Sequence, residues 1–298
     1  MSEARHEPRP QWLRITLRTD EPFQQLRSMV SELRLNTVCQ EARCPNIYEC
    51  WNAGTATFMI LGDTCTRYCG FCNVHSGKPK PGVDRDEPAH VAEAVARLAL
   101  KHAVITSVDR DDLPDGGARH FADVIHAIRE RTPTCAVEVL TPDFKKKAGA
   151  LDVVLDAAPA VFAHNVETVP RLYKTVRPGS SYEGSVGLLA EAVKRRDRER
   201  SFLRVKTSII AGMGERDDEI LDVMRDLRGV GVDVVTLGQY LQPTKEHLPV
   251  ARWVHPDTFK AYHDEGIAMG FLHVESGPLV RSSYHAERHR PDPVAPAR

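Results

Sequence analysis

The sequence predicts an α/β fold: a parallel sheet curled into part of a barrel and covered outside by helices. Three observations carry that prediction. Strand-like and helix-like segments alternate from residue 57 to residue 274. The strand-like segments are nearly continuous apolar runs, as in strands buried on both faces. About six βα units fit into roughly 200 residues, fewer than the eight of a complete barrel, so the expected architecture is a partial (β/α)6 barrel.

The elements follow in order. Thr57–Leu61 is the first strand, and it leads directly into a cysteine-rich loop. Glu87–Leu100 is a helix with Pro88 in its first turn, where the missing N–H costs nothing. Ala103–Thr106 is a strand, Ala118–Glu130 a helix and Ala136–Leu140 a strand. Phe144–Ala150 reads as a helix, Val161–His164 as a short strand and Glu183–Arg196 as a long helix. Leu203–Ile210, Asp217–Arg228 and Val232–Leu237 continue the alternation. Pro256–Met269 is the last helix and Phe271–Val274 the last strand. In such folds functional groups sit on the loops after the strands' C-terminal ends. Those loops carry the cysteines after Leu61, Thr106–Asp109, Thr141–Pro142, His164–Asn165, Ala211–Gly212 and Gly238–Gln239. Residues 1–55 form an N-terminal extension, 56–275 the barrel and 276–298 a C-terminal extension. The first ten residues and the tail from Glu287 are charged and proline-rich, and are expected to be disordered.

The charge is nearly balanced: 40 basic residues against 41 acidic ones give −1. That balance disfavours nucleic acid as a partner. The basic runs at Lys145–Lys147 and through Arg195, Arg196, Arg198 and Arg200 read as solvated helix faces. The polar, acid-containing start lacks a secretory h-region. No apolar stretch reaches the roughly 18–20 residues of a membrane span. A cytoplasmic protein with reduced thiols is expected, and there clustered cysteines signal metal rather than disulfides.

Six of the seven cysteines lie between residues 39 and 72, in two triplets. Cys39, Cys44 and Cys50 read C-x4-C-x5-C; Cys65, Cys69 and Cys72 read C-x3-C-x2-C. A four-iron cluster or a tetrahedral metal takes four ligands. A triplet leaves one position to a substrate, a cofactor or an unusual fourth residue. Paired C-x2-C units, the zinc-knuckle pattern, do not follow. Cys135, in the apolar run TCAVEVL, reads as a buried core residue.

The second triplet, with Phe71 before its last cysteine, resembles the signature of the radical S-adenosylmethionine (SAM) superfamily. The two triplets together with VEVLTPDF, AHNVETVPRLY, KTSIIAGMGE, LGQYLQPT and RSSYHA resemble the lipoyl synthase family over residues 39 to 286. The resemblance implies a radical SAM barrel with two [4Fe–4S] clusters and S-adenosyl-L-methionine as cofactors. Cys65, Cys69 and Cys72 then hold the radical-generating cluster. Cys39, Cys44 and Cys50 with Ser283 of the RSSY motif hold an auxiliary cluster, supported by Arg281 and with Ser282 alongside. Phe71, Asp109, Asn165, Glu167, Arg171 and Lys206 are the candidates for contacting SAM, with Glu138 nearby on the third strand. The implied reaction is insertion of sulfur at C6 and C8 of a protein-bound octanoyl-lysine, with the auxiliary cluster as sulfur donor.

The implied partners are octanoylated lipoyl carrier domains of 2-oxo-acid dehydrogenase E2 subunits and of the glycine cleavage H protein. An electron donor such as flavodoxin or ferredoxin and an iron–sulfur carrier that rebuilds the cluster complete the set. Both triplets and Ser283 must then face one cavity. Two other readings stand beside this one. One is a radical enzyme acting on a small molecule, as in biotin synthesis; the other is a non-enzymatic zinc-binding module.

Overall fold

The computed structural model describes residues 8–15, 17–52 and 55–291. Seven parallel strands form its centre. They are β1 (Thr57–Ile60), β2 (His102–Ser107), β3 (Ala136–Leu140), β4 (Val161–Ala163), β5 (Arg204–Ala211), β6 (Val234–Gln239) and β7 (His273–Gly277). Each pairs in parallel with the next, in sequence order. Six helices cross between them: α1 (Glu87–Arg97), α2 (Ala118–Arg131), α3 (Ala150–Asp156), α4 (Tyr182–Glu199), α5 (Asp217–Gly229) and α6 (Pro256–Ala268). Six βα units and a closing strand make the expected partial barrel. It stays open, because an added two-residue strand, Asn36–Thr37, runs antiparallel to β1 and forms the other edge of the sheet.

Burial explains the elements. The strands are buried on both faces and mostly apolar, with polar exceptions such as Glu138 and Lys206 inside the barrel, and all four residues of β1 are buried. In α2, Phe121, Val124, Ile125 and Ile128 follow the helical period and face the sheet. Outside the barrel, the helix Glu21–Glu32 buries Phe23, Leu26 and Val30. Phe23 meets Tyr48 and Trp51 of the short helix Ile47–Asn52, with ring centroids 5.5 and 5.1 Å away.

The end of β1 is clamped, and this aims the loop that follows. Leu61 adopts the left-handed conformation, with φ 69°. Its N–H donates to Glu87 Oε2 at 2.8 Å and its carbonyl accepts from Arg110 Nη1 at 3.2 Å. Glu87 is itself held by His120 at 2.6 Å. A Cβ at Gly117 would lie 2.3 Å from Leu61 Cδ1, so only glycine allows this approach.

Three expectations need correction. Phe144–Ala150 is not a helix. Phe144–Lys146 makes one 3-10 turn and α3 begins at Ala150. The left-handed φ of Phe144 (50°) and Lys145 (46°), and the left-handed Gly149, interrupt the helix. Lys145 is accordingly no part of a helix face; it pairs with Asp111 at 2.7 Å. The last strand starts two residues late, because the N–H of Leu272 is taken by Asp233 O before the ladder begins. The tail from Glu287 is not all disordered: Ala286–Arg288 form a 3-10 turn against β2, and His289 is fully buried. A compact turn that can bury Ala286 and His289 is ordered by packing despite its charged neighbours. Residues 1–7 and 292–298, the rest of the predicted disorder, lie outside the described residues.

Candidate active site

A cavity of about 1200 Å³ occupies the barrel mouth and the opening between the sheet edges. All six clustered cysteines line it, as do Arg281, Ser282, Ser283, Phe71, Asp109, Asn165 and Glu167. The two triplets and the C-terminal serine pair, remote in sequence, therefore meet.

The loop of the second triplet grows out of β1. Thr64–Cys65 pairs with His75–Ser76, closing the loop on itself. Gly77 N bonds Cys65 O at 2.8 Å and Cys72 N bonds Cys69 O at 3.1 Å. Cys65 Sγ accepts from the backbone N–H groups of Arg67 and Asp109, at 3.5 and 3.4 Å. Phe71 packs beside Val176, Met213 and Tyr240, anchoring the loop to the far wall.

Arg67, between the first two cysteines of this loop, is 4% exposed. It donates two bonds to Asp111 (3.0 and 2.9 Å), one to Asp143 (2.5 Å) and one to Ser180 (2.8 Å). Asp109 lies 3.3 Å away. One buried cation thus ties together the loops after β1, β2 and β3 and the segment before α4. Burial would push Asp143 up, but Arg67 more than offsets this and holds it well below the usual carboxylate range. Asp109 is instead raised by burial, against the pull of Arg67 and Arg177.

Arg177 shares this wall. Its Nη1 donates to Asn165 O at 2.6 Å. Asn165 Nδ2 donates to Glu167 Oε1 at 3.0 Å. Burial raises the Glu167 carboxyl, and Arg177 opposes the shift. Among the described residues the buried Asn165 Oδ1 has no hydrogen-bond partner, and Asp109 Oδ1 has the ionic contact to Arg67 at 3.3 Å but no hydrogen bond. A cavity-wall acceptor without a donor fits a bound molecule that brings its own amine or hydroxyl donor.

The first triplet sits on short helices outside the barrel. Thr37, paired to β1, accepts from Gln40 N at 3.3 Å and caps the turn carrying Cys39. Cys44 N bonds Cys39 O at 3.0 Å. Cys50 lies in the helix Ile47–Asn52. The C-terminal segment closes over this group. Asn46 Nδ2 donates to Leu279 O at 2.8 Å, and Thr57 Oγ1 donates to Ser283 Oγ at 2.9 Å. Arg281 is half-buried, with its charge acting on Cys44.

The donor set fits iron–sulfur clusters. Burial first, then neighbouring charge, pushes Cys39 up to about 11 and Cys50 to about 12. Cys69 rises to about 12 and Cys72 to about 11 for the same first reason. Buried thiols of this kind keep their protons until a cation replaces them, so metal loading releases protons. Among the described residues, no three His, Cys, Asp or Glu side chains converge tightly enough to grip a single ion.

Two candidate residues lie away from this wall. Arg171 is half exposed and pairs with Glu219 at 2.8 Å on the outside of the fold. Lys206 is buried inside the barrel, 2.7 Å from Glu138, which His102 also contacts at 3.2 Å. Neither lines the cavity. Arg67, Arg177 and Thr57 were not singled out from the sequence. The only sequence signal for Arg67 is its place inside the cysteine motif, and Arg177 and Thr57 carry none.

Comparison with known proteins adds the family. The sequence profile of the Radical SAM superfamily matches residues 59–227. A lipoyl synthase of Thermus thermophilus is 55% identical over 97% of this chain and 90% of its own length. Those of Rubrobacter xylanophilus and Chromobacterium violaceum are 53% and 51% identical, over 95% and 94% of the chain and 87% of each relative. Among solved structures, Streptococcus suis SuiB bound to S-adenosylmethionine superimposes with TM-score 0.57 at 11% identity, covering 86% of this chain and 56% of SuiB. Methylornithine synthase superimposes with TM-score 0.53 at 13% identity, covering 87% and 79%. At such identities the agreement concerns the barrel fold alone.

Proposed function

The chain belongs to the lipoyl synthase family of the Radical SAM superfamily, and from that premise we propose that it inserts sulfur at C6 and C8 of an octanoyl chain carried on a lysine of a lipoyl carrier domain. The observation that carries this reading is the shared cavity lined by both cysteine triplets and Ser283. When bound, two [4Fe–4S] clusters and S-adenosyl-L-methionine supply a 5′-deoxyadenosyl radical and the sulfur that replaces the abstracted hydrogens.

The chain's own residues bind, orient and exclude water. Cys65, Cys69 and Cys72 hold one cluster; Cys39, Cys44, Cys50 and Ser283 hold the other. A serine oxygen is a hard donor against soft iron–sulfide, so it is the ligand most readily given up. Arg281, half-buried and acting on Cys44, brings positive charge to that cluster. Asp109, Asn165 and Glu167, backed by Arg177, face SAM from the cavity wall, where Asn165 Oδ1 is left without a donor. Met59, Leu140, Ile210 and Val280 give the cavity apolar surface, where each buried methylene of an acyl chain gains about 0.8 kcal/mol.

Within the same reading, a flavodoxin or ferredoxin supplies electrons and an iron–sulfur carrier restores the auxiliary cluster. Residues 1–55 and 276–298 act as the extensions that build the auxiliary site on a barrel of residues 56–275. The reaction is placed in the cytoplasm. None of the helices among the described residues is long and apolar enough to cross a membrane.

The test is anaerobic. Iron per chain and single-turnover product are measured for the wild type and for a variant with Cys39, Cys44 and Cys50 all changed to Ala. About eight irons should fall to about four, one cluster's worth. The variant should cleave SAM yet add no sulfur to an octanoyl-lysyl peptide. A wild type holding four irons, or a variant that still inserts sulfur, overturns the reading.

A further inference from the structure

Ser283 belongs to a segment with few neighbours of its own secondary structure, so something must hold its oxygen in place. The contacts of this segment identify that group. The C-terminal segment leaves β7 and passes so close to β6 that a Cβ on Gly238 would lie 1.9 Å from Val280 O. Asn46 then fastens Leu279 O to the first triplet's loop. Past this point, among the described residues, one side-chain hydrogen bond joins the serine pair to the barrel: Thr57 Oγ1 to Ser283 Oγ at 2.9 Å, across 226 residues of sequence.

Thr57 is placed to act on both halves of this site. It opens β1, is 5% exposed and lines the cavity. Its backbone N–H points to the Cys39 thiol, and its hydroxyl points to Ser283. β1 is rigid here, with Thr57 in register with Val104 on one side and Phe58 with Thr37 on the other. Thr37 in turn caps the turn that carries Cys39. The first and last ligands of the auxiliary site are thus referred to one residue of the barrel.

We propose that Thr57 is the positioning residue for Ser283: its hydroxyl seats the serine oxygen, and so selects Ser283 over Ser282 as the auxiliary site's oxygen donor. This rests on the reading of Ser283 as the fourth ligand. The contribution of Thr57 is the orientation of one hydroxyl and the closure of the segment bearing it.

The experiment compares Thr57→Val, Thr57→Ser, Ser283→Ala and the Thr57→Val/Ser283→Ala double variant. Each is reconstituted anaerobically as the full chain, and iron release to a chelator is followed at constant pH. Valine keeps the shape of threonine and removes only the hydroxyl; serine keeps the hydroxyl and removes a methyl. The expected result is loss of the auxiliary four of about eight irons roughly three- to tenfold faster in Thr57→Val, the effect of one lost part-buried hydrogen bond. Thr57→Ser should release iron like the wild type. The double variant should be no faster than Ser283→Ala alone, because the two groups act through one contact.

Wild-type release in Thr57→Val, or additive effects in the double variant, overturns the inference. So does loss of all eight irons in Thr57→Val, which marks a core role instead. These failures are distinct from failure of the two-cluster reading, which would appear as four irons in the wild type itself.

Discussion

The two cysteine triplets share a cavity but are built in different ways. The Cys65–Cys72 loop is woven into the barrel. It starts from a clamped strand end, carries its own short strand pair, and encloses Arg67, whose bonds reach Asp111, Asp143 and Ser180. The Cys39–Cys50 segment lies outside the sheet. It is assembled from the chain's two ends, with Asn46 holding Leu279 and Thr57 holding Ser283. The first arrangement suits a site that must keep its geometry through every turnover. The second suits a site that must be taken apart and rebuilt. The difference amounts to one multiply bonded buried cation against several single contacts.

That contrast is broken most directly at Arg67. Replacing it with Met leaves Asp143 without its cation and Asp111 with Lys145 as its remaining partner. Removing one partner of a buried ionic network typically costs about 3–5 kcal/mol. Arg67→Met should lower the unfolding free energy of the apo-chain by that much in denaturant titrations. Arg67→Lys should recover only part of it, since an ammonium cannot match the two-pronged contact to Asp111. A loss under about 1 kcal/mol would mean that the loop is no better fastened than the outer triplet.

The next largest effect is expected at the C-terminal segment. In Gly238→Ala the new methyl would meet Val280 O at 1.9 Å, a backbone atom that cannot rotate away. Overpacking of this kind costs about 1–3 kcal/mol. Here the segment can yield instead, so the expected result is selective: about four irons retained of about eight, with SAM binding kept. Equal loss of both clusters would erase the contrast between the two sites.

How much of this was legible in the sequence follows from what each feature depends on. The strands were readable because burial on both faces leaves an apolar run, and the triplets because ligand spacing is local. Arg171 and Lys206 were read as SAM contacts because they are cations near recognisable motifs. Folding gives them other partners, Glu219 and Glu138. Thr57 and Arg177 do their work across 226 and 12 residues of sequence, with nothing local to mark them. Phe144–Ala150 is helical by composition, and the left-handed backbone at Phe144, Lys145 and Gly149 interrupts it.

His289 belongs to the same lesson. It follows a charged stretch that reads as disordered, yet it is buried. Burial first, then Lys206, lowers its imidazole to about 3. The folded chain therefore keeps His289 neutral while the unfolded chain protonates near 6.5. The unfolded state binds more protons in this window, so stability rises with pH and is lost as pH falls from about 6.5 toward 3. His164 in the barrel wall is lowered to about 3 by burial and then Arg177, and acts in the same direction. Unfolding midpoints at about pH 7 and pH 5 should converge partly, not wholly, in His289→Gln. An unchanged pH response would show that the buried tail adds nothing to the fold.

The smallest effect tests how the outer site is held together. Tyr284 OH donates to Glu49 Oε1 at 3.2 Å, an exposed contact between the RSSY motif and the helix carrying Cys50. Exposed contacts of this kind are usually within about 0.5 kcal/mol of neutral. Tyr284→Phe should leave iron content and the unfolding midpoint unchanged within error. Combined with Thr57→Val, however, it removes two of the few ties on one short segment, and residues sharing a mobile element couple. The pair should then release auxiliary iron faster than the product of the single effects. Strict additivity would mean that each tie acts alone and that the segment does not open as a unit. The outer triplet would then differ from the inner one only in the number of its contacts, and not in the way it comes apart.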